Sequence, residues 1–98
     1  MALSEAQKKY LRGLGHHLKP VLMIADSGLS ESVASEFEIA ITHHELIKVK
    51  IKADRVDRQK LSQQISKLCH AELIQSIGQV SCFYRPNPDK AVITLPSS

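Results

Sequence analysis

Tryptophan is absent from this 98-residue chain, and only two tyrosines and two phenylalanines stand in its place. The core must therefore be mainly aliphatic. Cysteine is scarce too. Cys69 and Cys82 are too few for a disulfide framework and sit at no metal-ligand spacing. They read as small buried residues of a reducing compartment. No apolar run reaches the length of a signal segment or a membrane span, and Glu5, Lys8 and Lys9 interrupt the N-terminus early. The expectation is a cytoplasmic protein without membrane contact. No glycine-rich phosphate loop is present. His16-His17, His43-His44 and His70 include no helical pair one turn apart and match no metal motif. No nucleophile is paired with a base. Cys82 lies among apolar neighbours, and Ser27 lacks the flanks of a nucleophile elbow. We therefore expect no enzyme activity, cofactor, metal or small-molecule substrate.

What the chain does have is segregated charge. The net charge is only +3, but its distribution is uneven. Residues 26–45 carry Asp26, Glu31, Glu36, Glu38 and Glu45 with no Lys or Arg. Residues 48–60 carry Lys48, Lys50, Lys52, Arg55, Arg58 and Lys60 against Asp54 and Asp57. Such separation favours a binding surface; evenly mixed charge would favour solubility. Within the basic run Ile47, Val49 and Ile51 alternate with Lys48, Lys50 and Lys52. One face of this strand must be buried, and the other is a lysine ladder suited to a polyanion.

Local signals order the elements. Ser4 with Gln7 makes a capping box for a helix over 4–15, with Leu11, Leu14 and Leu18 at helical spacing. Val21–Ile24 is a short continuous apolar run, which suits a strand covered on both faces. Ser30 caps a helix over 30–44 with Val33, Phe37, Ala40, Ile41 and His44 on one side. A strand over 46–52 is followed by a helix over 57–70 with Leu61, Ile65 and Leu68 inward. Strands over 72–77 and 79–85 turn at Gly78, and residues 92–95 offer a short edge strand. The order is a helix and then strand-helix-strand-helix-strand-strand, a single α/β domain spanning 1–98. Right-handed crossovers place the two later helices on one side of the sheet, with the lysine ladder on the other. The first helix is expected to cover strand 21–24 from that open side. By alternation Ser81, Phe83 and Arg85 share a face. If Arg85 and Ser81 avoid the core, Phe83 lies on the open face and is a candidate for base stacking; the competing reading is a Phe83 covered by the first helix or the C-terminal segment.

Leu18-Lys19-Pro20-Val21, Gly28-Leu29-Ser30-Glu31, His44 to Lys50, Ile77-Gly78 and Tyr84-Arg85-Pro86 together resemble the CRM domain, the chloroplast RNA splicing and ribosome maturation domain. Within it, the chain is similar to the bacterial stand-alone YhbY-type RNA-binding proteins. The resemblance implies a two-layer fold with a mixed four-stranded sheet, like that of the C-terminal domain of translation initiation factor three. It implies a non-enzymatic RNA-binding protein associated with large ribosomal subunit precursors, with ribosomal RNA as the expected partner; ribosomal proteins are a further candidate. The expected RNA-contacting residues are Lys19, Gly28, Lys48, Lys50, Lys52, Arg55, Arg58 and Arg85. The loop after the first strand departs from the family's Gly-x-x-Gly, since Ala25 replaces the first glycine and Asp26 adds a negative charge. The lysine ladder therefore carries more of the expectation than the loop. The alternative is a protein-interaction module in which the acidic helix 30–44 docks a ribosomal or assembly protein.

Overall fold

A computed structural model describes residues 3–25 and 28–97. Three helices, α1 (Glu5–Gly15), α2 (Glu31–His44) and α3 (Arg55–Cys69), are interleaved with four strands. The strands are β1 (Pro20–Ile24), β2 (Leu46–Ile51), β3 (Glu72–Ile77) and β4 (Val80–Tyr84). They form one mixed sheet in the order β1-β2-β4-β3. β1 and β2 are parallel, and β4 is antiparallel to both β2 and β3. β3 thus runs parallel to β2 with β4 inserted between them. The sequence order fixes this arrangement: helical crossovers join the parallel strands, and the two-residue turn Gly78-Gln79, with Gly78 at φ +57°, closes the β3–β4 hairpin.

Each helix begins where a side chain satisfies its free amides. Ser4 Oγ accepts from the Gln7 amide at 3.1 Å, and the Gln7 side chain accepts from the Ser4 amide at 3.0 Å. Ser30 Oγ accepts from Val33, and Asp54 accepts from Asp57. The Asp54 cap starts α3 two residues ahead of the expected 57. The inward face of α3 also differs: Leu61, Ser62, Ile65 and Cys69 are buried, whereas Leu68 is 60% exposed.

The sheet has two unlike faces. α2 and α3 cover one, where Ile24, Ile47, Val49, Ile51 and Phe83 meet Phe37, Ile41, Leu61 and Ile65. Phe37 and Phe83 pack edge to face at 5.3 Å between ring centres, so the aliphatic core has an aromatic centre. Ser81 points into this layer and is satisfied by Ser62 at 3.0 Å and Ser76 at 2.8 Å. α1 and the C-terminal segment cover part of the other face, around Leu11, Leu46, Ile74, Cys82 and Tyr84. α1 lies over β2 and β3, not over β1 as expected. β1 is an edge strand whose Val21 and Met23 are exposed. Gly15 permits the close approach of α1, because a Cβ there would stand 3.2 Å from Cys82 Sγ.

Residues 92–95 form no strand. The first two of their amides bond a side chain instead. Glu45 ends α2 at φ +62°, is 1% exposed, and accepts from the amides of Val92 at 2.9 Å and Ile93 at 2.6 Å as well as from that of Asn87. Its own carbonyl accepts from the Arg85 amide. Burial pushes the Glu45 carboxyl up, but the Asn87, Ile93 and Val92 amides outweigh burial and hold it below the ordinary range.

Glu45→Gln is expected to cost about 2–3 kcal/mol at neutral pH, since it weakens three charge-assisted hydrogen bonds from partly buried amides to a buried carboxylate. The folded pKa is lowered, so the stabilisation is complete above the ordinary carboxylate value of ~4.3. It is lost as pH falls through the folded value. Urea unfolding against pH should show a wild-type slope in that window that the variant lacks, with faster amide exchange at Val92 and Ile93. Gly15→Ala is expected to lower the melting temperature by pressing on Cys82. Gly13→Ala, where a Cβ would meet nothing within 4 Å, should stabilise by about 0.5–1 kcal/mol.

Candidate nucleic-acid interface

The register of β2 decides where the lysines go. Ile47, Val49 and Ile51 are fully buried beneath α2 and α3. Lys48 and Lys50 must then point to the opposite face. There Pro20, Lys48, Cys82 and Gln75 form one row across the sheet, and Met23, Lys50, Val80 and Ile77 form the next. Lys48 and Lys50 are half-buried, while Lys52 is exposed just past the end of β2. The Lys52 amide donates to Ile24 O at 2.8 Å, which holds this end of β2 to β1.

Lys52, Arg55, Arg58 and Gly28 lie near the C-terminal ends of the parallel strands β1 and β2, which the ladder approaches. Arg55 is the first residue of α3 and is exposed. Arg58 donates to Ala53 O at 2.7 Å, which braces the turn into α3. Gly28 adopts φ +91° and donates to Ala25 O at 3.0 Å. A Cβ at Gly28 would be in ordinary contact with Leu61, so its backbone angle, not lack of room, calls for glycine. Asp26 and Ser27 lie outside the described residues. Lys19 is exposed at the other end of β1, beside a cleft lined by Leu14, Leu18, Val21, His44 and Ile93.

Two expected site residues stand elsewhere. Phe83 is completely buried against Phe37 and has no face to offer a base. The expectation failed because Ser81 and Arg85, its partners on that face, do point toward α2 and α3. Ser81 does so through the serine chain. Arg85 does so through a fork to Glu38 at 2.6 and 3.0 Å, with Thr42 Oγ1 and Cys69 O accepting as well. Arg85 thus clasps α2 to the end of α3, and its hydrogen bond holds the Glu38 carboxyl below its ordinary range. It does not lie with the lysine ladder.

The structure adds residues that the sequence reading left out. Lys9 and Arg12 on α1 and His16 at its C-terminal cap are spaced four residues apart or fewer and line a cleft with Gln75, and His16 also borders Lys48. Helical spacing alone puts these three on one side of α1, a signal available before the fold was known. The thiols offer little reactivity. Burial pushes the Cys82 thiol up to about 11 despite the opposing charge of Lys48. Burial also raises Cys69. Among the described residues no group of three or more His, Cys, Asp or Glu could hold a metal ion. Nor is any helix there long and apolar enough to cross a membrane.

An α/β domain whose sheet is covered by two helices on one face and only partly covered, with exposed lysine-bearing rows, on the other is the class that these features define. Residues 3–85 match the model of the CRS1/YhbY (CRM) domain. The chain belongs to that family. It is 48% identical over 89 residues to a Pseudomonas aeruginosa protein named a probable RNA-binding protein, covering 90% of this chain and 86% of that one. It is 46% identical over 95 residues to a Haemophilus influenzae protein named an RNA-binding protein, covering 96% and 95%. The solution structure of a Staphylococcus aureus protein, itself described as a candidate RNA-binding protein, superposes with a TM-score of 0.84 at 31% identity. That match covers 97% of this chain and all of the other.

Phe83→Ala is expected to lose about 3–5 kcal/mol of stability, the cost of emptying a core phenylalanine site. Thermal melting measures it directly; an unchanged melting temperature would contradict the burial described above.

Proposed function

We propose that this chain is a non-enzymatic RNA-binding protein that acts in the cytoplasm on precursors of the large ribosomal subunit. The observation that carries the RNA reading is the projection of Lys48 and Lys50 from the sheet face opposite α2 and α3. Lys9 and Arg12 lie toward the same side on α1, and Lys52 and Arg55 extend the line past the strand end. Cations spaced along a strand suit successive phosphates, which supply affinity and orientation but little sequence information. The names of the relatives agree with this reading. The ribosomal part rests on the likeness to the YhbY-type proteins. Docking through the acidic helix has less support, because Arg85 already occupies Glu38.

Binding to structured RNA should weaken with salt, with a log–log slope of roughly −3 to −5 for about 4–6 neutralised phosphates. Replacing Lys48, Lys50 and Lys52 together with Gln should preserve the fold and cost about 1–3 kcal/mol of RNA affinity. Replacing Glu31 and Glu36 with Gln should leave affinity equal or higher. A sensitive acidic helix with an inert ladder would instead favour protein docking. Crosslinking in intact cells followed by RNA sequencing tests the target: sites in large-subunit ribosomal RNA are expected, and their absence would remove the assembly role.

A further inference from the structure

The lysine-bearing face is not flat. The end of α1 stands over it, and between His16 and the sheet lies a cleft of about 290 Å³. Its lining draws on both cross-strand rows: Pro20, Lys48 and Gln75 from one, Val80 and Ile77 from the other. The second row exposes two large apolar side chains on either side of Lys50 and Val80, with Met23 at 57% and Ile77 at 62%. A cleft of this size has room for a single planar group. An apolar protein segment lying here would strip water from Lys48 and Lys50 without returning a counter-charge. A paired helix offers no free base to enter the cleft. An unpaired nucleotide has a flat apolar face, a polar edge and a neighbouring phosphate, and the cleft has a counterpart for each. Ile77, Val80 and Pro20 are apolar surfaces. The Gln75 amide both donates and accepts. Lysines lie in both rows.

We propose that this cleft takes one unpaired nucleobase from a single-stranded RNA segment, packed against Ile77 and Pro20 with its edge at Gln75 and its flanking phosphates on Lys48 and Lys50. The inference rests on the RNA-binding reading and adds to it the single-stranded character of the ligand. It also replaces the stacking role once expected of Phe83 with an apolar slot on the opposite face.

The test uses two probes at fixed salt: a short single-stranded RNA carrying one 2-aminopurine, and a blunt RNA duplex with the same number of phosphates. The wild-type protein should bind the single strand more tightly and change the 2-aminopurine fluorescence. Ile77→Ser and Gln75→Ala alter an exposed and a half-buried side chain and should keep the wild-type melting temperature. Each should weaken single-strand binding roughly fivefold, the loss of one apolar contact or one hydrogen bond, abolish the fluorescence change and leave duplex affinity as it was. Unchanged single-strand binding, or an equal loss for both probes, would overturn the slot while leaving RNA binding intact. Failure of the wild-type protein to bind either probe would overturn the RNA reading, and the slot with it.

Discussion

The carboxylate of Glu45 is the contact on which the rest of the arrangement turns. It is buried, charged, and held by backbone amides from a segment more than forty residues away. Its residue also ends α2 in a positive-φ turn, so one position stops a helix, aims the next strand and anchors the chain's C-terminal segment. The strand it aims is β2. A strand displaced by one residue exchanges its faces. Such a slip would bury Lys48 and Lys50 under α2 and α3 and expose Ile47, Val49 and Ile51. The turn at Glu45 and the isoleucine-valine row therefore enforce the same register from two directions. The position of the cations is a consequence of core packing.

The two charged clusters have different structural fates. The acidic residues of α2 face away from the ladder, and one of them, Glu38, is consumed by Arg85 in a clasp that joins α2 to the end of α3. The clasp belongs to the helical layer. The ladder belongs to the sheet and stays free of acids between its rungs. This separation follows from the topology. Both crossover helices lie on one face, so the acids that α2 carries are kept on the far side from β2's lysines.

Much of this was legible in the sequence. Element order, the Ser4 and Ser30 caps, the Gly78 turn and the side chosen by the lysines all follow from local rules of period and capping. What was not legible depended on contacts between distant residues. Ser81 and Arg85 look too polar for a core-facing strand, and only the serine chain and Glu38 make that face possible; Phe83 was misplaced with them. Val21–Ile24 reads as doubly covered, yet its position at the sheet edge leaves Val21 and Met23 bare. Residues 92–95 read as a strand because their composition is right, but Glu45 captures the amides of Val92 and Ile93. Glu45 itself carried no signal of its role, since an acid at the end of a helix ordinarily faces water.

The half-buried state of Lys48 and Lys50 has a further physical meaning. A lysine on an exposed loop loses most of its rotamer freedom when it meets a phosphate. Here both side chains are already half-buried in the folded protein, Lys48 beside Gly15, so part of that loss has occurred during folding. Their strand is also one of the two central strands, paired on both edges and packed from the helical side. Two cations fixed on a central strand bind a polyanion at lower entropic cost than the same cations on a flexible tail. Lys52 and Arg55, exposed at the strand end, keep the freedom to follow a backbone whose path differs from one RNA to another. The interface thus grades from rigid to mobile along β2, and the rigid end is the one that adjoins the apolar cleft.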